Sequence, residues 1–216
     1  MMTFNIQQRV FDAQGEYLED AAIRYREELM DRFVAAPEGQ ELVRQGGAVG
    51  WADTFMDLGI AYLGVTPPAM TPEQLESILF ELFPRKVSTE PGCGQEIVQE
   101  LHAFWTFLQR EFGLANASAC RQVLTAATAR RLDREMQNPA KFGLAKAFVM
   151  QGLAHGFEVA TPEGMQAWAA TYNAGLAAGA ERPPALPPVR ASRATKAAAA
   201  RRKIAQRSRR QNRKQR

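Results

Sequence analysis

Cys93 stands in the run Pro91-Gly92-Cys93-Gly94, directly ahead of a segment with strong helical patterning. A helix N-terminus lowers a thiol pKa and favours the nucleophilic thiolate. The nearest histidine in sequence, His102, would fall about seven residues into that helix, roughly 10 Å along its axis, so no local Cys-His pair forms. His155 would have to be delivered by folding, and an incidental loop cysteine is the expectation. Asp53 and Asp57 lie one turn apart on an otherwise apolar helix, where unpaired carboxylates are costly. They either share the least buried edge of that helix or form buried pairs with Arg85 or another cation. An enzyme, a hydrolase or transferase, would rest on Cys93 or on this Asp53/Asp57 pair.

The segment Gly46-Gly47-Ala48-Val49-Gly50 offers backbone amides to an anion ahead of a helix. It lacks the preceding strand and the Gly-Lys-Ser/Thr ending of a phosphate loop, so it reads as a flexible helix entry. With two His, no Cys pair at ligand spacing and no Glu-x-x-His signature, metal ligands are scarce. No catalytic residue, metal site or cofactor is assigned.

The positive signal lies at the other end of the chain. Residues 190–216 hold 12 Lys plus Arg and no acid, whereas residues 1–189 hold 15 basic and 23 acidic residues, a net charge of −8. An acidic body therefore carries a basic tail, a split that suggests nucleic-acid contact or self-association. Arg190, Arg193 and Lys196 open the tail; Arg201, Arg202, Lys203, Arg207, Arg209, Arg210, Arg213, Lys214 and Arg216 are its candidate nucleic-acid-binding residues. Guanidinium forks pair with phosphates and displace condensed counterions, so affinity should fall steeply with salt. The tail has no aromatic residue to stack on bases, which points to backbone contact without sequence readout. RNA, DNA or a ribonucleoprotein is the expected partner. A solubilising end, docking on the acidic body or an anionic membrane are the rivals, the last lacking a lipidation site or apolar face as second anchor.

Ala occurs 36 times against 6 Ile and 11 Val, which tilts the chain toward helix. Ile97, Val98, Leu101, Phe104, Trp105, Leu108 and Phe112 recur at helical spacing over 95–112, with Gly113 as terminator. A second helix spans about 16–35 on Leu18, Ala22, Tyr25, Leu29 and Phe33, closed by Pro37 and Gly39. A third, over 48–63, is apolar on several sides and should sit centrally. Thr71 caps a fourth whose stripe is Leu75, Ile78, Leu79, Leu82 and Phe83, with Pro84 as its stop.

Shorter helices follow around Val123 and Leu124, around Leu132 and Met136, and from Pro139 through Phe142, Ala145, Phe148, Val149 and Leu153. A last one is capped by Thr161 and faces inward with Met165, Trp168, Ala169, Tyr172 and Leu176. The expectation is an all-α protein: a compact domain of about seven or eight helices over 1–178, a Pro-rich linker over 179–189, and a disordered basic tail over 190–216. No apolar run approaches the roughly 18 residues of a membrane span, and Met1-Met2-Thr3-Phe4-Asn5 has no signal-peptide pattern, so the cytoplasm is the expected compartment. The function expected is that of a non-enzymatic helical accessory protein whose tail binds nucleic acid nonspecifically, with a protein-interaction module as the alternative.

Overall fold

The computed structural model describes residues 4–177 except Ala48 and Glu90. The linker over 179–189, the tail and all nine of its assigned basic residues lie outside the described residues. The fold is all-α. Its elements are α1 (Glu19–Ala35), α2 (Pro37–Arg44), α3 (Trp51–Leu58), α4 (Pro72–Ser77), α5 (Phe83–Lys86), α6 (Gly94–Phe112), α7 (Ala117–Val123), α8 (Ala126–Met136), α9 (Leu144–Ala154) and α10 (Pro162–Ala177). Single π-turns extend α3 through Gly59–Leu63 and join α4 to α5 through Ile78–Leu82. Counted as continuous rods, the described residues hold nine helices, one or two more than the pattern foretold.

α6 is the central strut. Its apolar residues Ile97, Leu101, Phe104, Trp105 and Leu108 are fully buried, and α2, α3, α7 and α8 pack around it. Phe33 of α1 meets Phe104 edge-on at 5.2 Å and Phe107 at 5.6 Å, an arrangement that adds directional attraction to apolar burial. α6 closes on Gly113, whose φ of 63° is the left-handed cap that glycine adopts without strain. Residues 4–18 form an irregular strap whose Phe4, Ile6 and Val10 are buried on the core, turning through a lone bridge between Phe11 and Tyr17.

Three prolines behave differently from expectation. Pro37 opens α2 from its first position instead of closing α1, because a missing N–H costs nothing in the first turn. Arg110 of α6 then fastens α2 through a bidentate pair with Glu38, at 2.8 and 3.0 Å. Pro84 does not stop its helix, which runs on to Lys86. Pro84 has no N–H to give the carbonyl of Phe80, one turn back, and Lys141 Nζ donates to that oxygen instead at 3.2 Å. Pro139 opens only the 3-10 turn Pro139–Lys141, and a break at Phe142 and Gly143 precedes α9.

The π-turn after α3 explains a further displacement. An extra residue per turn rotates everything beyond it, so Ile60 is buried while Tyr62 is exposed. α9 and α10 form a helical hairpin set apart from this core. Its own cluster centres on Trp168, which lies 5.5 Å from Phe148 and Tyr172, 5.4 Å from Phe157 and 5.2 Å from His155. Gly152 of α9 passes so near that a Cβ there would lie 2.5 Å from Val159 Cγ1 and 2.8 Å from Trp168 Cδ1.

Candidate functional site

Each candidate from the sequence finds a definite place. Asp53 and Asp57 occupy the more exposed edge of α3, and the cation between them is Arg26 of α1, not Arg85. Arg26 Nη1 lies 2.8 Å from Asp53 Oδ1 and Nη2 lies 3.5 Å from Asp57 Oδ1. Both carboxylates are about half exposed, so the triad is a surface tie between two helices, of a kind that contributes little to stability. It borders an open groove of about 620 Å³ floored by Ile23, Met30, Val34 and Val49 and rimmed by Glu27, Asp31 and Asp53.

Cys93 heads α6 as its N-cap residue, half-buried, with Sγ 3.0 Å from Thr89 Oγ1. Next to it in charge, though not expected from sequence, is Lys146 of α9. Lys146 is buried, donates to the carbonyl of Met136 at 3.1 Å and lies 4.3 Å from the Phe142 ring centroid. Burial pushes its pKa down to about 8, and a smaller Coulombic influence of Cys93 acts in the opposite direction. His155 is not brought to Cys93. It stacks on Trp168, its Nδ1 sits 2.8 Å from the Gln151 carbonyl, and it lies roughly 13 Å along the α9 axis from Lys146. No nucleophile–base constellation forms from these residues.

The glycine-rich segment before α3 does face an anion, and the protein supplies it. Glu100, buried on α6, accepts from Gly50 N at 3.0 Å and from Ala52 N at 2.8 Å through Oε1. Burial raises the Glu100 pKa above its usual range, while the amides of Ala52, Trp51 and Gly50 draw it back. The signal for this was present in the sequence. Glu100 falls within the arc of Ile97, Leu101 and Phe104, where a carboxylate must find internal donors. Glu100 and Lys146 are thereby equivalent devices: a carboxylate at the N-terminus of α3 and an ammonium at the C-terminal carbonyl of α8, each of the sign that the helix dipole favours.

Among the described residues no group of three or more His, Cys, Asp and Glu could hold a metal ion, and no helix is long and apolar enough to cross a membrane. A second open groove, about 390 Å³, runs between α2 and α6 past Leu42, Val98 and His102. Comparison with protein-family models, curated proteins and solved structures gives no match to this chain.

Proposed function

We propose that the protein is a non-enzymatic helical accessory that binds nucleic acid or a ribonucleoprotein through the basic residues of 190–216. The observation that carries this reading is the segregation of charge: 12 cations without one carboxylate, attached to a segment of net charge −8. The arginines of 190–216 suit phosphate recognition without base readout.

The test compares the full chain with one ending at Val189, which keeps all ten described helices and removes every charge of 190–216. Binding of a fluorescent RNA and of a mixed-sequence DNA duplex should be lost or weakened by at least a hundredfold, with a steep salt dependence only in the full chain. Equal affinity for the two chains would sink the proposal.

A further inference from the structure

Charge on the folded body is itself divided. Residues 4–83 hold 14 acidic and five basic side chains, whereas residues 84–177 hold eight acidic and nine basic. The basic share concentrates on α8, where Arg130, Arg131 and Arg134 are all exposed. At about 100° per residue they lie on one outward arc with Ala127 and Gln137, away from the buried Ala129, Leu132 and Met136.

No carboxylate interrupts that arc. Asp133 is turned toward α6, where its Oδ1 accepts from Gly94 N at 2.7 Å. Glu135 is held by Lys141 Nζ at 2.6 Å and by Arg131 Nε at 3.9 Å, so one acid is shared between two cations. Arg131 is further fixed with its guanidinium carbon 3.7 Å from the Phe80 ring centroid. Arg130 and Arg134 form no ion pair among the described residues.

The path of the chain adds an independent argument. Phe148 packs on Tyr172 at 5.0 Å and Gly152 abuts Trp168, so α9 and α10 run antiparallel in a register that sets Leu176 opposite Leu144. Ala177 therefore lies at the N-terminal end of α9. Only Phe142 and Gly143 separate that end from Lys141, so the chain leaves the described body beside the cationic end of α8.

We propose that the outer face of α8, namely Arg130, Arg131 and Arg134 together with Lys141, is a second binding surface for the phosphate backbone of the nucleic acid that 190–216 engages. This rests on the function proposed above and assigns the body a share in it. Arg130 and Arg134, one turn apart with Cβ atoms roughly 6 Å from each other, present two guanidiniums to successive phosphates. The arc exposes no aromatic ring, so backbone contact rather than base stacking is what it offers. The acidic surface of residues 4–83 repels a polyanion and leaves α8 as the side on which one settles.

The experiment uses the full chain and its Arg130→Gln/Arg134→Gln variant, with a mixed-sequence DNA duplex titrated by fluorescence anisotropy over a salt series. Both side chains are exposed, so circular dichroism and the thermal midpoint should be unchanged. The variant should bind about tenfold more weakly at low salt, and the slope of log K against log salt should fall by about two. Unchanged affinity and slope, with the parent chain binding well, would overturn the α8 surface and leave the reading of 190–216 standing. Failure of the parent chain to bind at low salt would overturn both. Weaker binding of the variant to phosphatidylserine vesicles, with duplex binding intact, would assign α8 to lipid and likewise overturn the proposal.

Discussion

The helices packed around α6 and the α9–α10 hairpin are held by different physics. Around α6, aromatic and aliphatic side chains from seven other helices interlock, and Tyr25, Leu29, Phe33, Phe55, Leu75, Ile97, Phe104 and Trp105 expose nothing. The hairpin meets that body chiefly through polar contacts on backbone carbonyls: Lys146 Nζ to Met136 O, and Gly143 N to Arg85 O at 3.1 Å. Its internal cluster has one fully covered large residue, Trp168, and leaves Leu144 and Leu153 in solvent. Apolar interlocking makes unfolding cooperative, whereas a small aromatic cluster tied on by a few hydrogen bonds opens locally at lower cost. The body and the hairpin should therefore behave as two units of unequal stability.

The largest expected effect comes from the centre. Phe104→Ala removes a ring packed on Phe33, Trp105 and Phe107 and should destabilise the whole body by about 3–5 kcal/mol. Urea unfolding followed by circular dichroism should show one transition shifted to lower urea. Trp168→Ala deletes a comparable side chain from the hairpin, yet its cost should stay local: hydrogen exchange should lose protection over 144–177 and keep it in α6. Equal loss of protection in α6 would mean that hairpin and body are one cooperative unit.

Lys146 sharpens the comparison through pH. Its folded pKa of about 8 lies below the ordinary 10.5, so between those values the unfolded chain holds a proton that the folded chain has released. Stability then rises with pH across that interval, and the burial penalty is fully present below pH 8. With 5-fluorotryptophan incorporated, the Trp168 resonance should show the urea midpoint of the hairpin climbing from pH 8 to pH 10. Lys146→Met should flatten that climb, since an apolar side chain of similar length replaces a buried charge. A climb that survives the substitution would assign the titration to another group.

Much of this architecture was legible because hydrophobic periodicity and cap chemistry are local. Thr71 with Gln74 forms the reciprocal capping box that its sequence announces, and the α1 stripe of Ala22, Tyr25, Leu29 and Phe33 is buried as spaced. What was not legible depends on groups distant in sequence. Pro84 lies inside a helix where Lys141 donates to the Phe80 carbonyl, and the inner face of α9 is set by Lys146 and Gly152 rather than by the apolar residues Ala145 and Leu153. The candidate chemistry followed the same division. The least buried edge of α3 for Asp53 and Asp57 is one of two readings that periodicity leaves open, the other being buried pairs with a cation, while Arg26 as their cation, Glu100 as a cap and Lys146 as a buried ammonium required the tertiary fold.

The smallest effect offers the cleanest contrast, because each region has a helix whose threonine hydroxyl caps its first turn. Thr71 Oγ1 accepts from Gln74 N at the start of α4, and Thr161 Oγ1 accepts from Gly164 N at the start of α10. Both threonines precede a proline, and each Thr→Ala change should remove about 1 kcal/mol. In α4 that loss is shared by the packed body, because Leu75, Ile78 and Leu79 anchor the helix in the core, so the global urea midpoint should move slightly and every probe together. In α10 the same loss falls on the hairpin alone: the fluorine signal of Trp168 should shift to lower urea while those of Trp51 and Trp105 stay in place. Coincident shifts of all three tryptophans in Thr161→Ala would show that the polar contacts at Lys146 and Gly143 couple the hairpin to the core as firmly as apolar packing does.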